Sequence, residues 1–316
     1  MEVHLWGTRG SLPYSVKCAN IEKKIRMALT EAVRVGLDSE DAIDDFIAGL
    51  PFEVRGSYGC NTSCVEIRGG TEHVICDAGT GLRDYGNYIM GAGLEGPQTF
   101  HIFMSHLHWD HVHGFPFFVP AFIPGNQIKI YAYHEAAEQH FIDQQDPPGF
   151  PLPLTFMAAD ISFHKLSLGE TYDIAGFRIT GHEQHHPGIT YGLRFDRDGK
   201  SAVYSTDVEH LDDVYDDDYP YIDFIRDADL LIFDAQYNLA EHFHTKANWG
   251  HSSNMIGVEL AIRGGVKRLC LFHNEHTVDD HALEEFLEKS RRYREIYDDS
   301  AELDILLSYD GLVVEL

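Results

Sequence analysis

The stretch Ser105-His106-Leu107-His108-Trp109-Asp110-His111 follows an apolar run at 100–104 and precedes the turn Gly114-Phe115-Pro116. Four potential metal ligands fall within six residues, spaced His-x-His-x-Asp-His. A single ligand pair arises easily by chance, but four need a physical reason, and a site for two metal ions supplies one. Residues two apart on a strand share a face, so His106 and His108 leave the strand end on one side and can grip one ion. Asp110 and His111 lie a step further round the turn and reach a second ion close by. The stretch reads as the first half of a dinuclear site, and the rest of the chain must provide the other half.

The missing donors are sought at later strand ends, where loops present functional groups. Three positions qualify. They are His185-His186-Pro187-Gly188 after an apolar segment at 177–180, Asp207 after Val203-Tyr204-Ser205-Thr206, and His273 after Leu269-Cys270-Leu271-Phe272. Each follows an apolar run, where an unpaired carboxylate or imidazole is costly to bury. A lone histidine at a strand end is ordinarily structural. Three such positions joined to a four-ligand motif reverse that reading.

Composition narrows the partners. The 316 residues carry a formal net charge of −27, which repels polyanions and argues against long nucleic acid and anionic membranes. There is no basic-then-apolar start and no apolar run approaching membrane-spanning length, so the expected location is the cytoplasm. Five cysteines form no regular framework, which suits reduced thiols; Cys60 and Cys64 lack a second pair and read as packing residues.

Hydrophobic periodicity gives the coarse architecture. Strands are expected at 2–6, 64–67, 73–77, 100–104, 127–133, 177–180, 191–195, 202–205, 230–233, 268–272, 305–307 and 312–314. Helices are expected at 19–37, after Ser39, at 134–144 and 253–263, and after a Thr277 cap. Arg291, Arg292 and Arg294 read as a solvated face of the last helix. The acidic run 212–218 lacks the spacing of a calcium loop and reads as a solvated loop. The helical pair at 16–56 interrupts two strand-rich regions and looks like an insertion. Packing onto the sheet is the simplest role for it, with a lid or a homodimer contact as alternatives. Strands and helices interspersed throughout argue for a layered α/β fold.

Together these motifs resemble the metallo-β-lactamase superfamily, and within it the tRNase Z-like and phosphodiesterase-like branch of hydrolases. Besides the seven candidate ligands, the similarity rests on Gly7-Thr8-Arg9-Gly10-Ser11, Asn61-Thr62-Ser63-Cys64, Asp77-Ala78-Gly79-Thr80-Gly81, Gly250-His251-Ser252 and Asp310-Gly311. It covers nearly the whole chain except 16–56, so 1–316 reads as one domain with a helical insertion. The resemblance implies a four-layered αββα sandwich with metals at one edge between the sheets. It implies that His106, His108 and His186 bind one ion, that Asp110, His111 and His273 bind the other, and that Asp207 bridges them. His186 is preferred to His185 because Pro-Gly follows it. The ions implied are divalent, zinc first, with manganese or iron as alternatives.

The implied chemistry is hydrolysis by metal-bound hydroxide, with Asp110 in the reacting centre. His251 is the implied proton donor, Asp234 the carboxylate that orients it, and His244 a weaker candidate for the donor. A small anionic phosphodiester such as a cyclic nucleotide or cyclic phosphate is the expected substrate. A lactone or thioester is the alternative, because the same ions polarise a carbonyl. A tRNA 3′-processing nuclease needs a basic surface that −27 does not offer. The diiron branch of the fold tends to carry a carboxylate where this chain has His108.

Overall fold

Alternation along the strands sorts apolar side chains into three layers. The computed structural model describes residues 1–238, 246 and 248–316. Its first sheet has the order β14-β1-β2-β3-β4-β5-β6, and its second β13-β12-β11-β10-β9-β8-β7. In the first, β1 (Glu2–Gly7), β2 (Cys64–Arg68), β3 (His73–Cys76) and β14 (Val313–Glu315) pair antiparallel. Strands β4 (Thr99–Met104), β5 (Gln127–Ala132) and β6 (Asp160–Lys165) then continue from β3 in parallel. The second sheet repeats the scheme. Strands β7 (Thr171–Ile174), β8 (Phe177–Gln184), β9 (Thr190–Arg197) and β10 (Lys200–Ser205) pair antiparallel. Parallel strands β11 (Leu230–Asp234), β12 (Arg268–Phe272) and β13 (Asp304–Leu307) follow.

Successive strand residues face opposite sides, and the buried clusters obey this. On β12, Cys270 and Phe272 join Val3, Phe103 and Tyr204 between the sheets, while Leu269 and Leu271 turn outward against helices. On the first sheet Ile75, Ile102 and Ile130 face outward to Leu82, Tyr85 and Phe118. Two outer layers and one inner layer of apolar contacts define the expected αββα sandwich. Strands buried on both faces read as continuous apolar runs, and Leu230-Leu231-Ile232-Phe233 is one.

Several local expectations need correction. β6 and β7 went unrecognised because each mixes polar residues into a half-exposed edge strand. The long helix Asp280–Tyr297 is capped by Asp279, whose carboxylate accepts from Ala282 N at 3.0 Å, and Thr277 lies outside it. Arg291 and Arg294 are not merely solvated: they donate to Ile305 O and Ala301 O and tie this helix to the segment entering β13. Residues Asp212–Tyr215 form a 3-10 turn.

Helices α1 (Cys18–Val35), α2 (Glu40–Gly49) and α3 (Phe52–Arg55) lie between β1 and β2. The expectation that the first two pack on the sheet is not met, because neither holds a fully buried residue. α1 rests on α3, and Lys24 pairs with Asp280 at the start of the last long helix. Among the described residues, no helix is long and apolar enough to cross a membrane.

Candidate metal centre

The residues singled out by spacing converge at one edge between the sheets. His106, His108, Asp110 and His111 follow β4, where the helical turn Trp109–Val112 begins. His186 follows β8, Asp207 follows β10, and His273 follows β12. Two groups of four donors result, each with its ligand atoms within 4.8 Å of one another. The first is His106, His108, His186 and Asp207; the second is Asp110, His111, Asp207 and His273. Asp207 belongs to both groups. His186 is buried while His185 is exposed, so the structure brings His186 alone of the pair into the cluster.

Surrounding hydrogen bonds fix the imidazole tautomers. Asp77 accepts from His111 Nδ1 at 2.7 Å, from Ser105 N and Oγ at 2.8 and 2.7 Å, and from Tyr204 OH at 2.7 Å. With Nδ1 committed, Nε2 of His111 faces Asp110 and Asp207, at 3.3 and 3.2 Å. It makes a proper hydrogen bond with neither, and Nε2 of His106 is also buried without one. Buried nitrogens without hydrogen bonds are expensive unless something else satisfies them. His186 Nδ1 donates to Gly250 O at 2.7 Å, which aims its Nε2 at His108 Nδ1, 3.1 Å away. Facing nitrogen lone pairs fit a shared metal ion, and this donor set fits divalent transition metals.

Backbone geometry is strained at two of the donors and at the carboxylate behind His111. Asp77, Asp207 and His273 have φ of 60°, 51° and 62°, in the left-handed region that few non-glycine residues occupy. Such outliers concentrate at functional sites. Close packing adds two glycine requirements. A Cβ on Gly10 would lie 2.5 Å from His273 Nδ1, and one on Gly250, itself at φ 86°, would lie 2.2 Å from His186 Nδ1.

Electrostatics divides the cluster in two. Burial pushes His106, His108 and His186 below the usual imidazole range, so they are neutral donors. Burial also acts downward on His111 and His273, but Asp207 and Asp110 outweigh it. His111 is held well above the usual range and His273 is pushed up to about 9. Burial would raise the Asp207 and Asp110 carboxyls; the facing imidazoles reverse this and hold both well below the usual carboxylate range. The second group therefore carries protons that an ion has to displace.

Beside the cluster, His251 Nδ1 lies 2.9 Å from Asp234 Oδ2. Asp234 is fully buried and also accepts from Val208 N at 3.0 Å and Gln236 N at 3.2 Å. His251 and His273 rings stack at 5.0 Å, so Asp234, His251 and His273 form a third donor group. His244 lies outside the described residues.

Some contributors were not recognised as such in the sequence. Glu209, buried, accepts from Asn248 N at 2.7 Å and Gly250 N at 2.9 Å and so holds the loop that orients His186. Its only sequence signal is its place two residues after Asp207. Ser11 N donates to Asp110 at 2.7 Å. Arg9 is buried and clamps Gly59 O, Glu275 O and Val278 O, while Asp310 accepts from Cys60 N, Asn61 N and Thr8 Oγ1. Those bonds explain why the flanking motifs accompany the ligands. All five cysteines are free, and none belongs to the donor groups.

An αββα sandwich with such a cluster at its edge defines a metallo-hydrolase of the metallo-β-lactamase fold. The sequence matches the beta-lactamase superfamily domain over residues 72–274, a span that contains every candidate ligand, and the chain belongs to that family. A comparison with curated proteins finds no match. Among solved structures, the chain is similar to the metallo-beta-lactamase fold protein YhfI from Bacillus subtilis, with TM-score 0.66 and 17% identity over 100% of this chain and 98% of that one. A diphosphatase of the PhnP family superposes with TM-score 0.62 at 18% identity, covering 100% and 97%. The short form of human tRNase Z superposes with 0.58 at 17%, covering 100% and 99%.

Proposed function

We propose that this chain is a dinuclear metal-dependent hydrolase of small phosphodiesters, a cyclic nucleotide or cyclic phosphate being the expected substrate type. In this reading His106, His108 and His186 hold one divalent ion, Asp110, His111 and His273 the other, and Asp207 spans both. The sharing of Asp207 by the two donor groups carries the proposal. Zinc suits the imidazole-rich set, with manganese or iron as alternatives. Two such ions supply Lewis-acid polarisation of a phosphoryl oxygen and lower the pKa of water toward neutrality.

The chain's own residues do the rest. Asp77, Ser105 and Gly250 O orient the imidazoles. Asp234 fixes His251 through Nδ1, so a proton passed to a leaving alkoxide leaves through Nε2. Both oxygens of Asp234 are engaged by backbone N–H groups, which favours an orienting role over a ligand role. The net charge disfavours a nucleic acid chain as substrate.

The deciding experiment assays bis(p-nitrophenyl) phosphate, a panel of cyclic nucleotides and a lactone series with defined Zn²⁺ or Mn²⁺. Turnover of diesters above lactones, lost in Asp207→Ala and in metal-stripped protein, is expected. Full activity without metal would falsify the reading, and lactone turnover alone would move it to carbonyl chemistry.

A further inference from the structure

Two cavities meet at Trp109 and His140. One, about 470 Å³, is the mouth over the metal cluster, bordered also by His108, Asp110, Asp207 and His251. The other, about 600 Å³, lies alongside, with Phe117, Phe150 and Pro116 in its wall. The proposed chemistry uses only the first.

The second cleft breaks the ordinary rule of burial. The helical turn Trp109–Val112 buries Asp110, His111 and Val112, yet Trp109 itself is 73% exposed. Phe117 is 56% exposed, and Phe150 meets it edge to face at 5.7 Å and 88°, which sets the plane of the Phe117 ring. Large aromatic faces left in water beside a polar centre mark a binding surface. The rim is polar, with His113, Asp143 and Gln144. Gln144 Nε2 is committed to Val112 O at 2.9 Å, while its Oε1 is a buried acceptor with no partner among the described residues.

We propose that this cleft is a nucleobase subsite, so that the substrate is a nucleoside phosphodiester with its phosphate in the mouth and its base against Trp109 and Phe117. This rests on the phosphodiester reading above. A planar heteroaromatic ring gives its faces to the aromatic wall and its donor and acceptor edge to the rim. An aliphatic acyl tail would satisfy the wall and leave the rim unpaired. Asp143 in the rim repels a second phosphate, which suits a single nucleoside and disfavours a longer strand.

The test compares p-nitrophenyl thymidine 5′-phosphate, methyl p-nitrophenyl phosphate and p-nitrophenylphosphorylcholine on the metal-loaded full chain. It is paired with AMP titrated into metal-stripped protein and followed by tryptophan fluorescence. Base–aromatic stacking predicts a KM about tenfold or more lower for the thymidine ester than for the methyl ester. Phe117→Ala should erase most of that ratio and weaken AMP binding about tenfold, whereas Phe117→Tyr keeps both. Equal KM values for thymidine and methyl esters, a preference for the choline ester, or a ratio untouched by Phe117→Ala overturns the subsite. If no ester is hydrolysed but AMP binds and Phe117→Ala weakens it, the diesterase reading falls and the subsite stands. If AMP does not bind either, the subsite falls with it.

Discussion

In the first sheet three antiparallel pairings lead from β14 to β3 and three parallel ones from β3 to β6; the second repeats this from β7 to β10 and from β10 to β13. The equivalent strands β3 and β10 each end in an aspartate with left-handed backbone, Asp77 and Asp207. Their surroundings differ. Asp77 accepts hydrogen bonds from Ser105, His111 and Tyr204 and is wholly enclosed, whereas Asp207 faces five imidazoles across the sheet edge. One frame used twice thus yields an orienting carboxylate in one sheet and a candidate bridging ligand in the other. Function was divided by what each strand end meets, not by fold.

That contrast is open to direct attack. Asp207→Ala removes a donor from both groups, and because each ion is worth several kcal/mol of transition-state charge stabilisation, diester turnover should fall at least roughly 10³-fold. Asp77→Asn leaves all seven candidate ligands in place and loosens His111 together with the bonds from Ser105 and Tyr204. Metal affinity or activity should then drop about 10–100-fold, the usual cost of an outer hydrogen-bond partner. Metal titration followed by kinetics on the same preparations separates the two. Equal losses would mean that Asp77 is no mere support. Gly250→Ala belongs with Asp77→Asn, since its Cβ would collide with the His186 ring.

The same division governs what can be read from the chain. The first sheet places four donors in one loop, so spacing alone exposes His106 to His111. The second places His186, Asp207 and His273 on three loops that the antiparallel pairing of β8, β9 and β10 and the parallel run from β10 to β12 bring together, far apart in the sequence. Their place after apolar runs made them candidates, and the family resemblance implied which ion each would hold. β6 and β7 escaped because edge strands need no continuous apolar pattern, and the repeated topology left no repeated sequence. Glu209 accepts from the Gly250 N–H and Gly250 O accepts from His186 Nδ1, bonds between side chain and backbone that no residue spacing encodes.

A smaller effect follows from the protons on the second donor group. His273 has its pKa raised from 6.5 to about 9 in the metal-free chain. A histidine raised on folding contributes stability that is fully present below its unfolded value and is lost as pH rises through its folded value. Metal-free protein should therefore lose thermal stability from about pH 6.5 to 9, relative to His273→Gln over the same range. Metal-loaded protein, with the proton displaced, should lack this decline. Unfolding scans in chelator and in excess metal check it, and parallel curves would contradict the assigned protonation.

The smallest effect lies where the chain reverses the logic of the centre, keeping hydrocarbon in water instead of charge in the core. Along α1, Ile21, Ile25, Leu29 and Val33 recur every four residues with exposures of 48, 54, 61 and 86%, while Asn20, Lys24, Ala28 and Ala32 face the body. An exposed side chain has little burial to lose, so Leu29→Ser or Val33→Ser should change stability by no more than about 0.5 kcal/mol. Leu231→Ala, at 0% exposure between β11 and its covering helices, should cost about 2–5 kcal/mol. Chemical denaturation at two protein concentrations distinguishes the cases. A loss at Leu29 approaching that at Leu231, and growing with protein concentration, would mean that a second copy covers the stripe in solution, because only association makes burial depend on concentration.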